Sequence, residues 1–344
     1  MQYKKKPTYS RHRYLRRHQR SAQHSSRRSR RYQFVIGLFV LVAGSTGLTA
    51  VVGRWEQKAT PAASIEAAPL PGTEVATHSA VQLPEDDGYH EEFMEWWYYN
   101  GHLWSEVGQQ YSFHYTAFLV DSMLLHTIYH LSLVDHQTGH HYTAQRKTAG
   151  NPSIGTEQGF DFSFRDWVIK GLGGQDQLRA QTPDFAFDLN LTEGHGAVLH
   201  GKDGLLHLGA AGSTYYYSRP HMQAEGTLKL DGKTMPVEGQ VWFDHQWGDF
   251  KAGEIGWDWF ALQLDDDTNV MLYELRVYSD ESTHYFGTVS RGNEKQTLGQ
   301  GDFIIEATDQ WTSGQTRATY PMGWRLQLPQ ENLDLRVEPV VKAS

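Results

Sequence analysis

The densest set of chemically capable side chains lies in VEGQVWFDHQWGDF, Val237 to Phe250, followed by GWDWF, Gly256 to Phe260. It gathers Asp244, His245 and Asp258 among Trp242, Trp247, Trp257 and Trp259. A carboxyl group set among indole rings is desolvated, so its pKa rises and it can stay protonated near neutrality. Such an acid can protonate an alkene, and an indole face can shelter the resulting cation through its quadrupole. In that chemistry Asp244 or Asp258 is the general acid, and His245 orients it or takes a proton from water. The same residues also suit a hydrogen-bonded cluster that pins the junction of two domains.

A second group is Glu95-Trp96-Trp97-Tyr98-Tyr99, with His102 close behind. On a strand, Glu95, Trp97 and Tyr99 share one face, and Trp96 and Tyr98 share the other. Glu95 then sits beside aromatics at a barrel mouth, as a ligand contact or as the partner of an arginine. Glu274 and Arg276 also share a strand face and read as an ion pair. Five of the 18 histidines, His126, His130, His136, His140 and His141, cluster in sequence, but His136 to His141 surrounds a turn expected to be exposed and no recognised metal-ligand spacing occurs, so no metal is expected. The chain has no cysteine, which excludes a disulfide framework, a thiolate metal site and a cysteine nucleophile. No G-x-S-x-G elbow and no glycine-rich phosphate loop occur, so neither a serine hydrolase nor a bound cofactor is expected.

Positioning these groups falls to β-structure. Runs such as Tyr111–Tyr115 and Phe185–Leu189 alternate apolar and polar residues. Turn glycines are expected at Gly101, Gly108, Gly139, Gly194, Gly232 and Gly292, spacing that suggests an antiparallel barrel or sandwich. EWWYYNGHL (Glu95–Leu103) and GWDWFALQL (Gly256–Leu264) each precede a polar turn and a second strand. Trp96 falls opposite Trp257, Tyr98 opposite Trp259, and Leu103 opposite Leu264, as an internal repeat would place them. The first unit would run over about 150 residues and the second over 88, so the second barrel is expected to be incomplete.

The charge is unevenly placed. The net is −9, yet residues 1–33 carry 12 Lys and Arg and no acid. All 40 Asp and Glu lie beyond them, so nucleic-acid binding by the body is disfavoured. From Phe34 to Val52 the chain is uncharged and apolar, and as a helix it would span about 28 Å, close to the bilayer core. With a basic arm before it and an acidic body after it, this reads as a signal anchor with the body outside; a cleaved signal peptide is the rival reading. The expected organisation is a cytoplasmic arm 1–33, a transmembrane anchor 34–53, a flexible linker 54–84, a first domain 85–250 and a second domain 251–344. The body would then stand on the periplasmic side of the inner membrane.

EWWYYNGHL, the YYYS of Tyr215–Ser218, VEGQVWFDHQWG and GWDWFALQL, in this order, resemble the AttH / carotenoid 1,2-hydratase (CrtC) family. The resemblance covers about Asp86 to Pro339. It implies an all-β fold of two tandem lipocalin-like antiparallel β-barrels, with an apolar ligand held near their junction. The family includes hydratases of carotenoid tails and plant phenolics, fungal cyclases, and AttH-type proteins linked to ABC transporters. Its motif falls here on Glu95, Trp96, Trp97 and Tyr98, on Asp244, His245 and Trp247, and on Trp257, Asp258 and Trp259. Members usually continue past the strand matching Trp324–Leu328 to close the second barrel, whereas this chain stops at Ser344.

Three functions follow as expectations. The first is a membrane-anchored lipocalin-like protein that binds a lipid or isoprenoid and serves an ABC-type transporter. The second is a cofactor-free hydratase that adds water to an alkene, and the third a structural partner of a membrane complex.

Overall fold

The computed structural model describes residues 81–341, apart from 122–124, 251, 315 and 316. The expected anchor at 34–53, the basic arm and most of the linker lie outside the described residues. Among the described residues no helix is long and apolar enough to cross a membrane. All of them belong to one compact unit.

The described residues form nineteen strands: β1 (Met94–Ser105), β2 (Gln110–Asp121), β3 (Leu125–Asp135), β4 (His141–Ala149), β5 (Phe160–Asp161), β6 (Val168–Leu172), β7 (Gln175–Gln181), β8 (Phe185–Glu193), β9 (Val198–Leu199), β10 (Leu205–His207), β11 (Ser213–Leu230), β12 (Lys233–Gly248), β13 (Ile255–Gln263), β14 (Thr268–Val277), β15 (Ser282–Arg291), β16 (Glu294–Leu298), β17 (Ile304–Thr312), β18 (Thr319–Leu328) and β19 (Leu333–Val337). All the named pairings are antiparallel, as the alternating runs and short turns require. Four of the expected turn glycines, Gly108, Gly139, Gly232 and Gly292, take positive φ. Gly101 corrects its expectation, because it lies inside β1. A Cβ there would stand 2.6 Å from the carbonyl oxygen of Gln240, so the residue permits close approach of β12 rather than a turn.

Strands β1–β12 make one long sheet in the order β4-β3-β2-β1-β12-β11-β8-β7-β6-β5. It curls until its two ends face each other. Tyr115 of β2 meets Phe187 of β8 with rings 5.8 Å apart, and Arg146 of β4 pairs with Asp166 at 2.5 Å beside β6. The enclosed core holds Trp97, Tyr99, Tyr115, Tyr129, Trp167 and Phe243, all buried. The second half places the β13–β16 meander against the β17–β19 sheet. Phe260, Leu272, Trp324 and Leu326 fill the space between them.

A third apolar cluster joins the two halves and includes Trp96, Tyr216, Trp242, Trp257, Trp259 and Met271. It exists because β1, β11 and β12 each have a second face. Even-numbered residues of β1 and β12 point into the junction, and odd-numbered residues point into the curled sheet. Midway along β11 the register shifts between Arg219 and Met222, at Pro220, a position where a missing N–H is tolerated. There Gln263 of β13 donates to the Pro220 carbonyl at 2.6 Å, fastening one half to the other.

Candidate functional site

The pleat divides the expected site in two. Across β1 and β12, Tyr98 pairs with Asp244, Trp97 with His245 and Trp96 with Gln246. Asp244 and its even-numbered neighbours therefore face the junction, whereas His245 faces the interior of the curled sheet with Glu95, Trp97 and Trp247.

On the junction side lies an apolar cavity of about 80 Å³, lined by Met94, Trp96, Tyr98, Phe118, Phe250, Trp257 and Trp259 among others. The residues paired by the internal repeat thus meet there: Trp96 with Trp257, and Tyr98 with Trp259, whose rings lie 5.8 Å apart at 88°. Among the described lining residues Asp244 is the only carboxylate, and it is 4% exposed. Its Oδ1 accepts the indole N–H of Trp242 at 2.7 Å and the hydroxyl of Ser218. Tyr216 hydrogen-bonds to the same carboxyl group, and in turn accepts the indole N–H of Trp259 at 3.0 Å. Burial pushes Asp244 up to about 7 even though these hydrogen bonds pull the other way. Oδ1 already takes two donors, so the acidic proton belongs on Oδ2.

Gln246, His130 and Tyr216 are among the further polar residues of the lining. Gln246 is buried, and its amide nitrogen has no hydrogen-bond partner among the described residues. His130 of β3 is held neutral by burial and contacts the Gln145 amide at 2.8 Å. Tyr216 keeps its phenol proton, because burial raises its pKa well above the ordinary value. None of the three stands among the expected site residues. Gln246 was legible, since strand alternation from Asp244 puts it on the same face. Tyr216 lay inside the YYYS run, and His130 carried no local signal.

On the other side, Glu95 is fully buried, and its Oε1 meets His245 Nε2 at 2.8 Å and His90 Nδ1 at 2.7 Å. The backbone N–H of His90 donates to Oε2 at 3.0 Å. Trp97 stacks on His245 with centroids 4.3 Å apart, and Trp247 stacks on His90 at 4.0 Å. Burial raises Glu95 to about 7, while the neighbouring His90 moderates the rise. His90, Glu95 and His245 have the donor types of a metal site. Their polar atoms satisfy one another, however, and no orphaned ligand atom is aimed at an ion. His195, His221 and Asp267 form a second such group near the surface.

Asp258 joins neither arrangement. It faces away from Trp257 and Trp259 on β13, and its carboxylate binds Arg276 at 2.8 Å, which also holds Glu274 at 2.8 Å. The expected Glu274–Arg276 ion pair is thus a three-membered cluster. Of the expected residues, the fold brings Asp244, Trp96, Tyr98, Trp257 and Trp259 together. It places His245, Glu95, Trp97 and Trp247 in the other core.

A family profile described as AttH-like matches residues 74–344. The chain belongs to the AttH-like family. The crystal structure of an AttH from Nitrosomonas europaea superposes with a TM-score of 0.67 at 26% identity, covering 74% of this chain and 83% of that one. Kievitone hydratase from Nectria haematococca shares the fold, with a TM-score of 0.61 at 20% identity over 72% of this chain and 77% of that one. Among curated proteins, the dehydratase asqC of Emericella nidulans is 23% identical over 234 residues. That match spans 62% of this AttH-like chain and 65% of the relative, less than two thirds of its length.

Proposed function

We propose that this AttH-like protein binds an apolar, isoprenoid or aromatic ligand in the junction cavity and catalyses addition or removal of water there, without a cofactor. The observation that carries this reading is the buried carboxyl group of Asp244, raised to about 7, in a cavity otherwise walled mostly by aromatic and aliphatic side chains. The dehydratase among its relatives adds support.

In hydration, Asp244 Oδ2–H gives its proton to one alkene carbon. The π electrons form the new C–H bond, and the neighbouring carbon becomes cationic. The faces of Trp96 and Trp257 stabilise that charge. Water hydrogen-bonded to the Gln246 amide attacks the cation and forms the C–O bond. The proton it sheds returns to the Asp244 carboxylate, so the acid is regenerated. Dehydration follows the same steps in reverse: Asp244 protonates the hydroxyl group, water leaves, and the adjacent C–H proton returns to the carboxylate.

The aromatic lining also suits a carrier that binds such a ligand and releases it unchanged. The two readings separate on Asp244→Asn, which keeps the shape and neutrality of the acid but cannot donate the proton. Incubation of the protein with isoprenoid and prenylated phenolic alkenes in ¹⁸O-labelled water tests the enzymatic reading. Products heavier by one labelled water, absent with Asp244→Asn, support it; bound but unchanged ligand in both proteins supports the carrier.

The apolar stretch 34–52 and the basic arm support a body held at the cytoplasmic membrane on its periplasmic side; the resemblance to AttH-type proteins alone suggests an ABC-type transporter as partner. Protease accessibility in intact and opened cells tests the placement, and co-purification tests the partner.

A further inference from the structure

Asp244 is the last member of a hydrogen-bond chain that begins in the other half of the protein. Thr288 of β15 lies 2.9 Å from Nδ1 of His200, and Nε2 of His200 lies 2.7 Å from the Ser218 hydroxyl, which donates to Asp244. Every member is buried, with His200 1% and Ser218 0% exposed. The direction of each bond follows. Ser218 gives its only proton to Asp244, so its oxygen must accept from His200 Nε2–H. Burial holds His200 neutral, which leaves Nδ1 as an acceptor for the Thr288 hydroxyl.

The loop that carries His200 is also fastened from the second half. Lys295 of β16 donates to the carbonyl oxygens of Leu199 at 2.6 Å, Gly201 at 3.2 Å and Lys202 at 3.3 Å. Thr297 adds its hydroxyl to Gly201 at 3.2 Å. The β15–β16 hairpin therefore grips both the imidazole and the backbone beside it.

We infer that His200 is a positioning residue for Asp244, locking the Ser218 hydroxyl onto the acid, and that the β15–β16 hairpin sets this lock through Thr288 and Lys295. The inference rests on the role proposed above for Asp244. It gives the second half of the fold a task in the site beyond supplying Trp257 and Trp259. A free Ser218 hydroxyl could rotate away from the carboxyl group. With His200 donating to it, rotation would leave two donors facing each other, so its proton stays on Asp244.

The titratable groups facing Asp244 are Tyr98 of β1, His130 of β3, Tyr216 of β11 and Tyr273 of β14. Burial raises the three phenols and lowers the imidazole, so all four stay neutral while Asp244 titrates. The protonated-carboxyl stretch of Asp244, isolated as the infrared difference between each protein and its Asp244→Asn counterpart, therefore reports one group. Loss of a donor to the carboxylate favours its protonated form. His200→Leu and Thr288→Val should raise its midpoint by about half a pH unit or more, whereas His200→Gln, which retains an N–H for Ser218, should restore the original midpoint. Thr288→Val touches neither His200 nor Asp244 covalently and guards against a misfolded His200→Leu. Midpoints unchanged in folded His200→Leu or Thr288→Val, with the unaltered protein titrating near 7, overturn this inference alone. An unaltered protein whose Asp244 ionises in the ordinary carboxylate range overturns the proposed function as well.

Discussion

Asp244 and His245 are adjacent in sequence, yet their side chains enter different cores. Asp244 stands in the junction cavity with Trp96, Trp257 and Trp259, whereas His245 binds Glu95 at 2.8 Å inside the curled sheet. One strand, β12, thus presents one face to the proposed reaction cavity and one to a structural core. The two carry different expectations for mutation.

Asp244→Asn is expected to lower turnover by about 10²–10⁴-fold, the usual worth of a positioned general acid. Ligand affinity should stay within a few-fold below pH 7, because the neutral amide replaces a group whose protonated form is the one that faces the ligand there. Turnover of the unaltered protein should fall as pH rises through about 7, where Asp244 loses its proton. Steady-state kinetics across pH, with ligand binding measured in parallel, check both points.

Neighbouring tryptophans should behave oppositely. Trp96 is partly exposed in the cavity, and its replacement by Ala should weaken ligand binding roughly tenfold or more with a modest effect on stability. Trp97 is fully buried, stacks on His245 and donates its N–H to the Asp87 carbonyl at 3.1 Å. Trp97→Ala should cost about 3–5 kcal/mol of stability. Denaturant titration of the two variants, with binding of a fluorescent apolar probe, distinguishes the faces.

Asp258→Asn should leave turnover and ligand affinity unchanged. Its partner Arg276 is 38% exposed and retains Glu274, so the expected loss of stability is below about 1 kcal/mol. Turnover and thermal unfolding of this variant beside Asp244→Asn provide the check, and a large loss of turnover would return Asp258 to the site.

Asp176 gives a pH dependence unconnected with catalysis. It is buried, accepts the Tyr99 hydroxyl at 2.8 Å through Oδ2, and its Oδ1 has no hydrogen-bond partner among the described residues. Burial raises it from 3.8 to about 7, although Arg219 and Tyr99 oppose the rise. A carboxyl group whose folded pKa is raised stabilises fully below its unfolded pKa, and that contribution is lost as pH climbs through the folded value. Asp176→Asn should therefore gain on the unaltered protein progressively between about pH 4 and 7, by up to about 4 kcal/mol. Urea unfolding at several pH values measures the difference.

Much of this arrangement was legible in the sequence. Alternation in EWWYY assigned Trp96 and Tyr98 to one face and Glu95, Trp97 and Tyr99 to the other, and the fold keeps that division. The repeat pairing Trp96 with Trp257 and Tyr98 with Trp259 located the four aromatic residues of one cavity. The same alternation applied to VWFDHQWG would have separated Asp244 from His245, and applied to GWDWF would have turned Asp258 away from its flanking tryptophans. Sequence proximity is a poor guide to contact on a strand, because neighbours point apart. The chain from Thr288 through His200 to Ser218 had no such signal. Its members lie 88 and 18 residues apart and meet only when two sheets pack. Gly101 was misread as a turn because a glycine that permits strand contact looks the same locally as one that bends the chain.

The central claim is a neutral carboxylic acid in the junction cavity, and its most direct measurement is the infrared spectrum of the protein minus that of Asp244→Asn, recorded across pH. The account predicts a protonated-carboxyl band that persists below pH 7, fades as pH rises through about 7, and is lost with the Asp244→Asn substitution. A difference spectrum already showing only ionised carboxylate at about pH 5, above the ordinary aspartate range, would contradict it.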